Sequence, residues 1–129
     1  MTQDIRRWWR AAFWAALGLA TWAALRPLTS EEWFSGQDKV QHLLAYSGLY
    51  GLGRLAFSGH EWRLSSALLT YGVIIELLQS FTPHRLTSVA DVVANAAGLA
   101  VGALVLARVQ CRWPALWTAI AARGEPECR

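Results

Sequence analysis

Four apolar runs, at residues 11–25, 40–57, 64–81 and 86–107, dominate this chain, and arginine-bearing segments separate them. A helix needs roughly 17–25 apolar residues, rising 1.5 Å each, to cross a bilayer core. Each run reaches that range, the first only when Trp8 and Trp9 or Pro27 and Leu28 are counted with it. Lipid is therefore the expected solvent. Composition agrees. Apolar residues make up 54% and charged residues 16%, against about 45–50% and about 25% in soluble domains. Eight tryptophans are too many for a small soluble domain to hide. These values exclude a disordered tail, a coiled coil and a disulfide-rich secreted module, and argue against a water-soluble enzyme.

The ends of the runs are marked. Arg26-Pro27 closes the first, because a helix does not continue through proline. Phe81-Thr82-Pro83-His84-Arg85 reads as a tight turn between the third and fourth. Trp8, Trp9, Trp33, Trp62, Trp113 and Trp117 lie at or near run ends, as an aromatic belt requires, while Trp14 and Trp22 lie inside the first run and are expected to face lipid. The stretch 113–122 reads as a short helix on the membrane surface.

Loop charges set the orientation. Arg6, Arg7, Arg10, Arg54, Arg63, Arg108, Arg112, Arg123 and Arg129 fall on one side; Arg26, Lys39 and Arg85 fall on the other, beside Glu31, Glu32 and Asp38. The positive-inside rule then places both termini in the cytoplasm. Arg6-Arg7 ahead of an apolar run could mark a signal peptide or a twin-arginine signal, but the apolar stretch is long and no clean small-x-small cleavage site follows it, so the first helix reads as retained. Basic residues that punctuate apolar runs do not form a nucleic-acid-binding face, so no nucleic-acid partner is expected. Cys111 and Cys128 match no metal or redox spacing and read as free thiols. The expected architecture is an all-α bundle of four transmembrane helices in the inner (cytoplasmic) membrane. Residues 1–10 form a basic cytoplasmic N-terminus, 11–107 the transmembrane domain and 108–129 a cytoplasmic tail.

Polar groups within the runs demand an explanation, since a central charge costs about 2.5–3.5 kcal/mol on insertion scales. Asp38, Lys39 and His42 open the second helix from the outer side; Glu76 and Gln79 close the third; Arg85, Ser88, Asp91 and Asn95 lie on the loop and first turns of the fourth. Asp38 to His42 is i,i+4, Glu76 to Gln79 is i,i+3, and Ser88, Asp91 and Asn95 follow i,i+3,i+7. Three helices thus aim polar stripes from one membrane depth, forming a candidate outward-facing pocket. Pairs such as Arg85 with Glu76 or Lys39 with Asp91 could instead be scaffolding. His42, Glu76 and Asp91 offer a mixed metal-ligand set, but no HExxH or paired-histidine motif supports it, and no metal or cofactor is expected. Ala94, Gly98 and Gly102 repeat at i,i+4 as a small-residue packing stripe, with Ser47, Gly48, Gly51 and Gly53 in a similar role on the second helix. Packing within the chain is favoured over a dimer seam, and a homo-oligomer stays open.

Asp38-Lys39-xx-His42 with Tyr46, Glu76-xx-Gln79, Arg85 with Ser88, and Asp91-xxx-Asn95-xx-Gly98 occur in that order. Over about residues 38–105 this pattern resembles the VanZ-like family of small bacterial membrane proteins. The family's usual Pro-Gly-Arg-like turn is here Pro83-His84-Arg85. The resemblance implies a role at the cell envelope, since the family takes its name from a protein associated with teicoplanin resistance. Its ligand would be a lipid-linked wall precursor or a glycopeptide antibiotic, with membrane lipid as the standing partner. Lys39 and Arg85 would contact phosphate or carboxylate, and Glu76 and Asp91 would orient them. One alternative is a membrane-embedded enzyme using Glu76 or Asp91 as base with His42. Another is a structural or transporter subunit, although no inverted repeat is visible.

Overall fold

The structure, a computed structural model, describes residues 2–26, 36–57, 59–81 and 88–121. Among these there are five helices and no strand: α1 (Thr2–Leu25), α2 (Gln37–Ala56), α3 (Glu61–Gln79), α4 (Val89–Arg112) and α5 (Pro114–Ala121). The expected 82–85 turn, with His84 and Arg85, lies outside the described residues, as do Pro27, Trp33 and Cys128.

Local chemistry sets several boundaries. Gly36 precedes α2 at φ 88°, a left-handed conformation that glycine adopts without the Cβ penalty. Pro114 has no N–H to continue α4 and pushes Trp113 out of helical geometry, to φ −134° and ψ 64°. The chain restarts at once as α5, with proline in its first position.

α1 and α3 run in one direction and α2 and α4 in the other. At one end Gln79 Nε2 donates to the Ala24 carbonyl at 2.8 Å; at the other, Arg10 Nε donates to the Ala56 carbonyl at 3.3 Å. The most extensive packing is between α2 and α4, followed by α1 with α2. A Cβ added at Gly98 would lie 2.5 Å from the Leu43 carbonyl oxygen, and one at Gly102 would lie 2.9 Å from that of Ser47. Ser47 Oγ lies 2.8 Å from the carbonyl oxygens of both Leu43 and Gly98. These two helices therefore touch backbone to backbone, as small residues allow. Not every glycine expected to serve this purpose does so. Gly48 and Gly51 face open space, whereas Gly53 sits under Leu64 and Phe13. The i,i+4 spacing could not tell which side of α2 met a neighbour.

The interior is unusual in what it holds. The buried stripe of α4 is Asp91, Ala94, Asn95, Gly98, Leu99 and Gly102, and that of α3 is Leu68, Gly72, Ile75, Glu76 and Gln79. Both follow helical periodicity. The exposed faces are apolar: Trp14, Leu19 and Trp22 on α1, Val40 and Leu44 on α2, Val73, Ile74, Leu77 and Leu78 on α3, and Val93, Val101, Leu104 and Val105 on α4. An apolar core of Phe13, Tyr46, Leu49, Tyr50, Ala56, Leu68 and Leu99 fills the rest. By length and hydropathy, α4 is the one described helix apolar enough to cross a membrane on its own composition. Arg54 on α2, and Glu61, Arg63 and Glu76 on α3, lower the apolar content of those helices.

Two further expectations are corrected. Trp117 is no interfacial anchor; it is buried with Ala121 against Leu55, and Trp9 Nε1 donates to the Ile120 carbonyl at 2.8 Å. The expected short helix at 113–122 is present as Pro114–Ala121, and it docks on the bundle end. Cys111 is disulfide-bonded, not a free thiol. A bridge depends on approach in space, which sequence spacing does not report.

Candidate functional site

The polar residues of α2, α3 and α4 meet at the end of the bundle where α2 and α4 begin and α3 finishes. This follows from connectivity: a group one turn into α2 or α4 reaches the same level as a group one turn before the end of α3.

His42 and Asn95 form the centre. His42 Nδ1 lies 3.0 Å from Asn95 Oδ1. An amide oxygen only accepts, so Nδ1 carries the proton and Nε2 points away from Asn95. Nε2 faces Glu76 Oε1 at 3.9 Å. Glu76 is 2% exposed and Asn95 1%, so both sit in the protein interior. The backbone N–H of Ser88, at the N-cap of α4, donates to Glu76 Oε2 at 3.3 Å. Asp91 lies in the first turn of α4, where the helix dipole favours an anion. It is buried, and its Oδ1 has no hydrogen-bond partner. Single donor atoms of His42, Glu76 and Asp91 all lie within 4.8 Å of one another.

Lys39 and Asp38 form the rim. Lys39 Nζ is 3.1 Å from Asp38 Oδ2 and 3.9 Å from Asp91 Oδ1. Both rim side chains are substantially solvent-exposed.

The nine pocket residues expected from the sequence therefore separate. Lys39, His42, Glu76, Ser88, Asp91 and Asn95 converge, and Asp38 holds Lys39 at the rim. Gln79 donates its amide to the Ala24 carbonyl near the end of α1. Arg85 lies outside the described residues. Gly72 is a member that sequence reasoning missed. A Cβ there would lie 2.6 Å from Tyr46 Oη and 2.8 Å from Asn95 Nδ2, so glycine makes the room these two groups occupy beside α3. No spacing rule marks a lone glycine facing two other helices.

A second feature was also not legible. A cavity of about 350 Å³ opens at the other end of the bundle, walled by Phe13, Trp14, Phe57, Leu64, Leu68 and Tyr71. Arg54 and Arg63 border it, and Arg54 Nη2 pairs with Glu61 Oε1 at 2.7 Å.

No curated protein and no solved structure matches the chain. The VanZ/LLP1 family model does, over residues 3–110, a span that contains α2, α3 and every residue of the polar cluster. On that match, the chain belongs to the VanZ/LLP1 family.

Proposed function

We propose that this VanZ/LLP1 protein is a multi-pass membrane protein whose polar cluster receives the headgroup of an envelope amphiphile. The observation that carries the reading is the inverted distribution of polarity. Glu76, Asp91, Asn95 and Gln79 are buried while large apolar side chains on all four long helices are exposed. In water that arrangement would leave a wide sticky surface. In lipid the exposed faces are solvated, and the buried polar groups are where intramembrane function is expected. At 1.5 Å per residue, α1 to α4 span about 28–36 Å, enough for a core of about 30 Å.

In this reading α1 to α4 all cross the inner membrane. The arginine-rich end, with Arg10, Arg54 and Arg63, faces the cytoplasm. The cluster then opens outward. Lys39 at the rim offers an exposed cation to a phosphate or carboxylate, Arg85 takes the same role from its place in the sequence, and Asp91 and Glu76 orient the cations. A lipid-linked wall precursor or a glycopeptide such as teicoplanin has the required chemistry, an anionic head on an apolar anchor.

The test is equilibrium binding of a polyprenyl-diphosphate-linked wall precursor, and separately of teicoplanin, to the full chain in lipid nanodiscs. Wild type should bind at least one of them, and Lys39→Ala and Asp91→Asn should each weaken that binding about tenfold or more. Teicoplanin susceptibility of a sensitive host, at matched membrane levels, then decides whether the glycopeptide is the relevant ligand. A folded wild type that binds neither compound overturns the reading.

A further inference from the structure

We propose that His42, Glu76 and Asp91 form a binding site for one divalent transition-series cation, with Zn²⁺ the best fit. This departs from the metal-free expectation, which rested on the absence of a linear motif. The argument is geometric and does not depend on the headgroup reading.

Three observations converge. First, one donor atom from each residue falls within 4.8 Å of the others. Ligands about 2.0–2.2 Å from one ion lie roughly 3–4 Å apart, so small side-chain movements close the set. Second, His42 is already oriented as a metal ligand. Its Nδ1–H is held by Asn95 Oδ1 at 3.0 Å, so Nε2 aims at Glu76 Oε1. A ligating histidine is positioned in this manner, with the far ring nitrogen donating to an oxygen. The 3.9 Å between Nε2 and Oε1 is too long for a hydrogen bond and suits two ligands of one ion. Third, Asp91 is 8% exposed and its Oδ1 lacks a hydrogen-bond partner. Its nearest described cation, Lys39 Nζ, stands 3.9 Å away and is bound more closely by Asp38. Asp38 therefore holds Lys39 at the rim, and the Lys39–Asp91 pair stays a long ion pair rather than a hydrogen bond.

The donor set selects the ion. One imidazole nitrogen with two carboxylate oxygens suits Zn²⁺ or Mn²⁺ better than Mg²⁺ or Ca²⁺, which prefer all-oxygen shells. Three protein donors leave a coordination position open, as in zinc sites that take an exogenous ligand. An ion there would also offset the two buried carboxylates and let an anionic group approach them.

The experiment uses the full chain, untagged, purified in detergent, stripped with chelator and titrated with Zn²⁺ against a chromogenic competitor. Wild type and a His60→Ala/His84→Ala variant should each bind one Zn²⁺. His42→Ala and Asp91→Asn should weaken binding at least tenfold, and Asn95→Ala, which loses the orienting bond, roughly 10–100-fold. Helicity is checked by circular dichroism. Should the His42 variant not fold, X-ray absorption of the Zn²⁺-loaded double variant decides instead, because His42 is then the chain's one histidine. Imidazole scattering supports the site. No Zn²⁺ bound by folded wild type, binding lost in the double variant, or Zn²⁺ without an imidazole overturns it. Loss of the site would leave the nanodisc binding result standing, and the reverse is equally true.

Discussion

Substituting Gly98 tests the contact on which the cluster rests. A Cβ at this position would lie 2.5 Å from the Leu43 carbonyl oxygen, 2.9 Å from Tyr46 Cβ and 3.1 Å from Leu43 Cα. Two of these three atoms are backbone, so no side-chain rotation relieves the clash. Restoring a separation of 3.4 Å moves α4 away from α2 by about 0.9 Å. Overpacking of this kind costs about 1–3 kcal/mol, and a rigid backbone neighbour favours the upper part of that range. Alanine also gains about 0.8–1.0 kcal/mol of helix propensity over glycine. Gly48→Ala removes that ambiguity. It makes the same exchange on α2 at an exposed position with nothing within 4 Å. The difference between the two variants isolates the packing cost of about 1–3 kcal/mol, roughly a 5- to 150-fold change in the unfolding constant. Denaturation in detergent measures it. A second readout follows from the same movement. A shift of that size stretches the 3.0 Å bond between His42 and Asn95 beyond hydrogen-bonding range. The ¹⁵N resonances of His42 should then change from a fixed Nδ1–H tautomer to an average. If Gly98→Ala proves as stable as Gly48→Ala and keeps the tautomer, the α2–α4 contact does not hold the site.

Further predictions concern other contacts of the bundle. Gly72→Ala should displace Tyr46 Oη and Asn95 Nδ2 and destabilise by about 1–3 kcal/mol, measured in the same denaturation assay. Trp117→Ala empties the buried site of α5, so limited proteolysis should cut near 113–121 first while α1 to α4 persist; equal protection of both regions would contradict the docking. Glu61→Gln removes the carboxylate that pairs with Arg54, whose side chain is only 12% exposed, and should destabilise by about 1–3 kcal/mol in the same denaturation assay.

Much of this protein was legible in one dimension because long apolar helices write their length and their polar exceptions directly into the chain. The four runs at 11–25, 40–57, 64–81 and 86–107 each became the body of a long helix, and Pro114 ended α4 by its missing N–H. The i,i+3,i+7 stripe of Ser88, Asp91 and Asn95 predicted a common face, and alternating helix direction predicted a common depth with His42 and Glu76. Rotation of each helix about its own axis was not legible. That rotation brings Gln79 to Ala24, leaves Gly48 and Gly51 open, and sets Gly72 against Tyr46 and Asn95. Periodicity fixes which residues share a face but not which neighbour that face meets, and only the close approach of α2 and α4 supplies the partner. The docking of α5 and the orientation of the His42 ring have the same origin. Each depends on contacts between residues far apart in sequence, 111 positions for Trp9 with Ile120 and 53 for His42 with Asn95, which no local pattern encodes.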